Sequence, residues 1–544
     1  MKTALRIGWI LLCLALTLAA RCWNLREVFI EGRIYFVDAD CYSRMMRAQM
    51  VADHPGTIIR HHDFENWPQG ITPHTTAPLD YLIVGLKSVL EAGFAVLDSD
   101  RTSVLRDQTL DLAGALISPL LGLGGALFLA WWLWKFRVRF WGMALLLYAI
   151  SPILVHGTLL GRPDHQALLI FLLTMAGCAE LALAAPEVAT ESRTRRTWGL
   201  VAGVAWALSL WVSLYEPLIL LVSVSAVWLI ANRRAWWSRD RRAGALTALA
   251  MVVIVLSLEG WRIALPDAVG RAHFANWQQM IGELSPLDLR SPLLFGWLGW
   301  MIGAAPVLLF LARKTDRRAL SLLAMLAVTF ALTLWQVRWG YFLALVFVWT
   351  LPWQMLALRR AGLALLVFLA SLWPVMKDWD IRLFPDELAQ DQAAMHGAEL
   401  AALRDLVMAT TAGNAGPFLA PWWLSPPVAY WTRNPGVAGS SHQSLPGIVD
   451  TARFFLSPTP ESAAAILRER KVRWVLADEP SRVIATSATL LAVPPPAEAF
   501  ATTLMDHPEE MPEFLREWKP PPTAPSHGLR FYRLYQVDDA KLPP

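Results

Sequence analysis

The chain has 544 residues, of which 55% are hydrophobic and only 17% charged, with 28 Trp and a mean hydropathy of +0.40. So much apolar sequence, gathered in long runs, excludes an ordinary water-soluble enzyme and points to a polytopic α-helical membrane protein. The net charge of +4 is no sign of a nucleic-acid partner, because most Lys and Arg sit in short loops between apolar runs.

The first apolar run, 5–23, follows Met1-Lys-Thr-Ala-Leu-Arg6 and could pass for a signal peptide; it is expected here as an uncleaved first span. Phe36 to Arg47 comes directly after it and so belongs at a membrane surface. Asp38 and Asp40 are separated there by one small residue, and Arg44 and Arg47 follow about one helical turn apart. Acids so close to a bilayer are costly unless a cation, a partner charge or a substrate holds them. His61-His62-Asp63 reads as loop structure or acceptor surface rather than a metal cluster, since adjacent histidines on an extended segment face opposite ways. Residues 77–97 are apolar but carry Asp80, Lys87 and Glu91, which suits a surface or re-entrant helix.

Further apolar runs lie at 113–134, 140–159, 167–185, 198–214, 217–231, 243–260, 293–312, 318–335, 340–357 and 361–375, making about eleven spans in all. Every second loop is basic: Lys135, Arg137 and Arg139; Arg193, Arg195 and Arg196; Arg233, Arg234, Arg239, Arg241 and Arg242; Arg313, Lys314, Arg317 and Arg318; Arg359 and Arg360. By the positive-inside rule these loops are cytoplasmic. The alternate loops are then external: 24–112, Gly161 to Gln166, Tyr215-Glu216-Pro217, 261–292 and Gln336 to Arg338, with the region from Lys377 on the same side. That last region combines β-like runs (Val472 to Ala477, Leu529 to Tyr535), a helical pattern at Pro460 to Arg470 and Pro-rich pieces at 493–497 and 519–525. It reads as a soluble mixed α/β domain. The four Cys (Cys13, Cys22, Cys41, Cys178) lack the spacing of a disulfide framework or a thiolate zinc site.

Parity gathers four polar clusters on one face. They are Asp38/Asp40, the turn Arg162-Pro-Asp164-His165-Gln166, Glu283, and Arg338. A carboxylate beside imidazole and amide groups suits a divalent cation, and an arginine at the outer end of a span suits a phosphate. Plainer readings stand beside these. Asp40 could pair with Arg44, Asp164 could cap the helix starting at His165, Arg338 could mark a membrane boundary, and Glu216 reads as interfacial.

Taken in order, these pieces resemble the catalytic subunit of oligosaccharyltransferases, in the GT-C superfamily of membrane glycosyltransferases. Asp40-Cys-Tyr42-Ser-Arg44, Trp67-Pro-Gln-Gly70 and Pro78-Leu-Asp-Tyr81 look like its first external loop, and Asp164-His165-Gln166 like its second acidic motif. Glu283 resembles its acceptor-holding Glu, and Arg338 in Arg-Trp-Gly-Tyr-Phe its pyrophosphate-contacting Arg. The Trp-Trp-Asp-Tyr-Gly motif that reads the acceptor sequon is replaced by Trp422-Trp423-Leu424-Ser425-Pro426, and a Leu accepts no hydrogen bond from a hydroxyl.

The resemblance implies a GT-C transmembrane domain over 1–376, with about 11–13 transmembrane helices, and an external domain over 377–544. It implies a multi-pass protein of the cell inner membrane that moves a glycan from a polyprenyl-(pyro)phosphate carrier to an acceptor, a protein first of all, on the periplasmic face. Asp40, Asp164 and Glu283 would be catalytic, and Mg²⁺ or Mn²⁺ would be held by Asp40, Asp164, His165 and Gln166. Arg338, Tyr42, Arg44, Trp422 and Trp423 would bind substrate. The alternatives are a GT-C enzyme that uses a monophosphate-linked sugar to modify lipid, polysaccharide or Ser/Thr acceptors, a transporter or flippase, and an inactive glycan-binding relative.

Overall fold

The computed structural model describes residues 2–74, 76–97, 103–185, 192–231, 238–262, 268–411, 414–519 and 531–543. Arg233, Arg234, Leu529 and most of the proline-rich piece at 519–525 lie outside the described residues. The chain folds as two compact units, the first made of Met1–Val28, Thr75–Gly260 and Glu283–Asp386, the second of Phe29–His74, Trp261–Gly282 and Glu387–Pro544.

The first unit is a bundle of apolar helices. Among the described residues, six helices are long and apolar enough to cross a membrane: Thr3–Val28, Thr109–Lys135, His165–Leu183, Arg239–Glu259, Arg318–Trp335 and Val337–Ala357. The remaining expected spans are also helical. They are the helices Trp141–Ile150, Tyr215–Ile230 and Met301–Ala312, the bent pair Ala361–Ser371 and Trp373–Leu383, and Ser192–Val212 with its basic first turns. Pro78–Leu97 forms a single helix carrying the exposed Lys87–Glu91 pair at 2.7 Å. The protein is a multi-pass membrane protein.

The loop parity is visible in what touches what. At one end of the bundle the Leu160 amide reaches the Arg21 carbonyl (2.9 Å), Gly161 reaches Ala115 (3.0 Å), Leu287 reaches Leu334 (3.1 Å) and Val337 reaches Ser285 (2.9 Å). At the other end Arg241 pairs with Glu180 at 2.6 Å, and Lys135 lies over the rings of Trp131 and Trp198. Ser192–Val212 and Arg239–Glu259 pack backbone to backbone, because a Cβ on Gly203 would fall on the Gly244 carbonyl.

Among the described residues, three spans are broken, at Ser151-Pro152, at Gly299 (φ +77°) and at Leu372, and the breaks satisfy one another. Ser151 Oγ donates to the Trp297 carbonyl (2.9 Å), the Trp300 amide to the Ser371 carbonyl (2.9 Å) and Trp379 Nε1 to the Ile150 carbonyl (2.7 Å). Backbone groups freed inside a bilayer need such partners.

The second unit holds a four-stranded sheet in the order β3-β4-β6-β5, where β3 is Phe418–Leu419, β4 Trp474–Ala477, β5 Leu515–Glu517 and β6 Arg533–Val537. β3 runs parallel to β4, while β6 is antiparallel to both β4 and β5. Helices such as Leu445–Phe455 and Pro460–Glu469 close a core around Phe454, Phe455, Leu467, Val475 and Tyr535. The unit also takes in a hairpin of β1 (Phe29–Ile30) and β2 (Arg33–Ile34) and the helix Ala39–Asp53.

The boundary expected at residue 376 falls inside the helix Trp373–Leu383, and residues 29–74 and 261–282 group with the C-terminal residues rather than with the spans. Specific bonds explain the grouping. Arg470 binds Asp450 at 2.5 Å and also reaches Gln69 and the Trp67 carbonyl, Arg33 pairs with Asp405 at 2.5 Å, and Asn276 donates to the Leu490 carbonyl at 3.1 Å.

Candidate functional site

In the first unit, the turn at 157–164 is built before it is charged. Gly161 takes a positive φ (+73°), and Ser118 Oγ donates to the Arg162 carbonyl. The fully buried Arg21 donates from Nε to Thr158 Oγ1 (2.7 Å) and from Nη1 to the carbonyls of Thr17 (3.0 Å) and Ala149 (3.1 Å). Asp164 ends the turn and caps the helix His165–Leu183, accepting from the His165 amide at 2.6 Å and lying 2.5 Å from His165 Nδ1.

Arg162 lies between Asp164, whose Oδ2 is 3.9 Å from its Nη2, and a polar cluster around Glu283. Its Nη2 donates to Glu283 Oε1 at 2.6 Å, Gln166 Nε2 donates to Oε2 at 2.9 Å, and the Tyr341 hydroxyl donates to Oε1 at 3.0 Å. Burial opposes ionisation of Glu283, but the neighbouring Arg162 guanidinium and the Gln166 amide outweigh it, and the carboxyl is held down to about 2. Arg338 pairs with Glu216, which is 1% exposed and also accepts from Ser213 Oγ at 2.7 Å.

Asp164 with His165 and Glu283 with Arg162 and Gln166 are thus brought into hydrogen-bonded sets, and Arg338 is fixed by a buried carboxylate. Glu216, Tyr341 and His156 are not expected as site residues from sequence, and Arg162 only as part of the polar turn. Glu216 carried a signal all the same, being an acid at the mouth of an apolar run.

In the second unit, Asp38 caps the helix Ala39–Asp53, accepting from the Cys41 amide at 3.0 Å, and Asp40 lies exposed in its first turn. Tyr42 is buried, its ring T-shaped against Phe36 and Trp431 and its hydroxyl accepting from the Phe36 amide at 3.1 Å; Arg44 is 2% exposed. Trp422 and Trp423 meet at 87°. Trp423 Nε1 donates to Asp478 at 3.2 Å, with the Arg482 guanidinium 4.6 Å above its ring. Leu424, where the related motif has an acid, is buried.

No protein-family model and no curated protein matches the sequence. Solved structures do. The oligosaccharyltransferase of Archaeoglobus fulgidus, tethered with an acceptor peptide containing the NVT sequon, matches with a TM-score of 0.65 at 15% identity, over 100% of this chain and 75% of that one. Its complex with Zn and sulfate matches at 0.60 and 15%, over 98% and 74%. ArnT from Cupriavidus metallidurans, bound to undecaprenyl phosphate, matches at 0.54 and 14%, over 99% of both chains. The fold is the GT-C glycosyltransferase fold.

The GT-C fold leaves the metal question to the donor atoms. Asp164 and His165 offer an oxygen and a nitrogen, a pair that suits a divalent cation. Gln166 does not fit as expected, because its amide donates to Glu283 and its oxygen accepts from Arg162 at 3.3 Å. Among the described residues, the group of three metal-ligating side chains with donor atoms within 4.8 Å of one another is the exposed set His507, Glu509 and Glu510, away from these positions in sequence.

Proposed function

We propose that this protein is a membrane glycosyltransferase, oligosaccharyltransferase-like, that moves a glycan from a polyprenyl-(pyro)phosphate carrier to an acceptor on the external, periplasmic face of the cell inner membrane. The observation that carries the reading is the pairing of an ordered carboxylate turn with a buried-carboxylate-backed arginine at one end of a GT-C bundle. Apolar spans suit a lipid-linked donor, and Arg338 suits its phosphate. The solved relatives support the same substrate types, since one carries an acceptor peptide and another undecaprenyl phosphate. A protein acceptor is the first candidate.

Asp40 and Asp164, with His165, are the residues we assign to a divalent cation, Mg²⁺ or Mn²⁺; a bound metal would supply Lewis-acid stabilisation of charge on the leaving oxygen. The Zn complex of the archaeal enzyme supports a metal of some kind. The protein's own part is positioning. The capped helix start orients Asp164, Glu216 aims Arg338, and the apolar spans exclude water around the reacting bond.

Asp40→Ala and Asp164→Ala are each expected to abolish transfer while the protein still inserts, and EDTA to do the same reversibly. Full activity of either variant with purified donor and acceptor would sink the assignment. A second reading, a monophosphate-linked single sugar as donor, is favoured by Leu424 in place of the acid. A screen of pyrophosphate-linked oligosaccharide against monophosphate-linked sugar separates the two.

A further inference from the structure

The acid expected to grip an acceptor is already gripped. A carboxylate offers about four lone-pair positions, and three of those on Glu283 are taken by Arg162, Gln166 and Tyr341. These donors are themselves locked. Arg162 Nη1 lies 2.7 Å from His156 Nε2 and 3.0 Å from Nδ1, and His156 Nδ1 lies 2.9 Å from the Tyr341 hydroxyl. Arg162, His156, Tyr341 and Glu283 thus close a ring of contacts in which Arg162 and Tyr341 both donate to Glu283.

The ring bears on the nucleophile. A carboxamide nitrogen is a poor nucleophile because its lone pair is shared with the carbonyl, and attack requires both N–H groups to be held in one orientation. Two free carboxylates do that well. A hydroxyl presents one hydrogen and needs one acceptor.

We infer that Arg162 sets the acceptor chemistry: by occupying Glu283 it leaves the site equipped for a hydroxyl nucleophile rather than an asparagine amide. The inference rests on the glycosyl-transfer reading and narrows it. The hydroxyl oxygen bonds to the anomeric carbon, and the bond from that carbon to the carrier's phosphate oxygen breaks with its electron pair on the phosphate. The hydroxyl proton ends on the phosphate product. Glu283 is then a positioning residue, acting through Arg162.

The test uses the full chain in lipid nanodiscs with polyprenyl-linked sugar donors. Three acceptor probes are offered separately: an Asn-x-Thr peptide, a Ser/Thr peptide without Asn, and a hexosyl glycolipid. Products are read by mass. Transfer to an alcohol probe at least about tenfold faster than to asparagine is expected, and the two alcohol arms tell a side-chain hydroxyl from a sugar hydroxyl. Transfer to asparagine at an equal or higher rate overturns the inference and leaves the transferase reading standing. Donor that is never consumed with any probe overturns that reading itself. Glu283→Gln gives a second readout: kcat should fall while the acceptor KM stays within about twofold, and a KM raised about tenfold would mean that Glu283 touches the acceptor and that the inference is wrong.

Discussion

The Glu216–Arg338 pair makes the sharpest quantitative test of the site. Glu216→Gln keeps the volume and the Ser213 contact but removes the charge, and Arg338→Met keeps the stem and removes the guanidinium. Two charges about 4 Å apart interact by about 4 kcal/mol at an effective dielectric of about 20. Deleting one partner of a buried pair costs about 3–5 kcal/mol, because the other charge is left uncompensated. The two deletions are not equal here. The Glu216 side chain keeps 2% of its exposure and the Arg338 side chain 19%, so an orphaned Arg338 is partly hydrated while an orphaned Glu216 is not. Arg338→Met is therefore expected to cost about 3–5 kcal/mol and Glu216→Gln about 2–3 kcal/mol. The double variant should cost less than the sum by about 2 kcal/mol. Unfolding followed by tryptophan fluorescence in one detergent measures all four proteins. Glu216→Gln should also bind inorganic pyrophosphate more tightly than the parent, since the anion no longer competes with a carboxylate for Arg338. Additivity within about 0.5 kcal/mol, together with unchanged anion affinity, would refute the reasoning.

Three further outcomes follow from the packing and the buried charges. Gly203→Ala puts a methyl group on the Gly244 carbonyl and should destabilise the first unit by about 1–3 kcal/mol, whereas Gly303→Ala, with open space around it, should not lower the thermal midpoint. Glu65, 2% exposed and bonded to Ser43, has its carboxyl pushed up by burial. A raised carboxyl contributes stability that is present below the unfolded-state value and lost as pH rises through the folded one, so Glu65→Gln should flatten the fall in stability as pH rises above the ordinary carboxylate range. Arg21→Met removes the donor to the Thr158 hydroxyl, which keeps its own bond to the Leu154 carbonyl, and the donor to the Ala149 carbonyl. It should lower the thermal midpoint and cut transfer activity, with inserted protein still detectable by protease protection.

Much of this arrangement is legible in the chain itself. Within the first unit, the alternation of arginine-rich loops sorts the turn at 161–166, Glu283 and Arg338 to one end, and the contacts of Arg21, Ala115, Ser285 and Leu334 show the same sorting. Asp38 and Asp164 both cap helices, the plainer of the readings open to Asp164. What sequence could not supply is pairing over long separations. Glu216 reads as interfacial until Arg338 is seen beside it, and Arg162 reads only as part of a polar turn until Glu283 is. Gln166 follows Asp164 closely enough to look like a co-ligand, yet the first helical turn rotates its amide to Glu283 instead. The grouping of 29–74 with the C-terminal residues is hidden for the same reason, since Arg470 and Gln69 are four hundred residues apart.

The three broken spans have a consequence for how the molecule is made. Each break leaves a polar group without its final partner until later chain arrives, and the partners come from widely separated stretches: the Ile150 carbonyl waits for Trp379, the Ser151 hydroxyl for the Trp297 carbonyl, and the Trp300 amide for the Ser371 carbonyl. Insertion proceeds from the N-terminus, so the early helices must be tolerated in an unfinished state through most of synthesis. The last bent pair acts as the closing stitch. A chain stopped at Arg360 would carry every expected span but one and still leave the Ile150 carbonyl and the Trp300 amide unsatisfied within the bilayer.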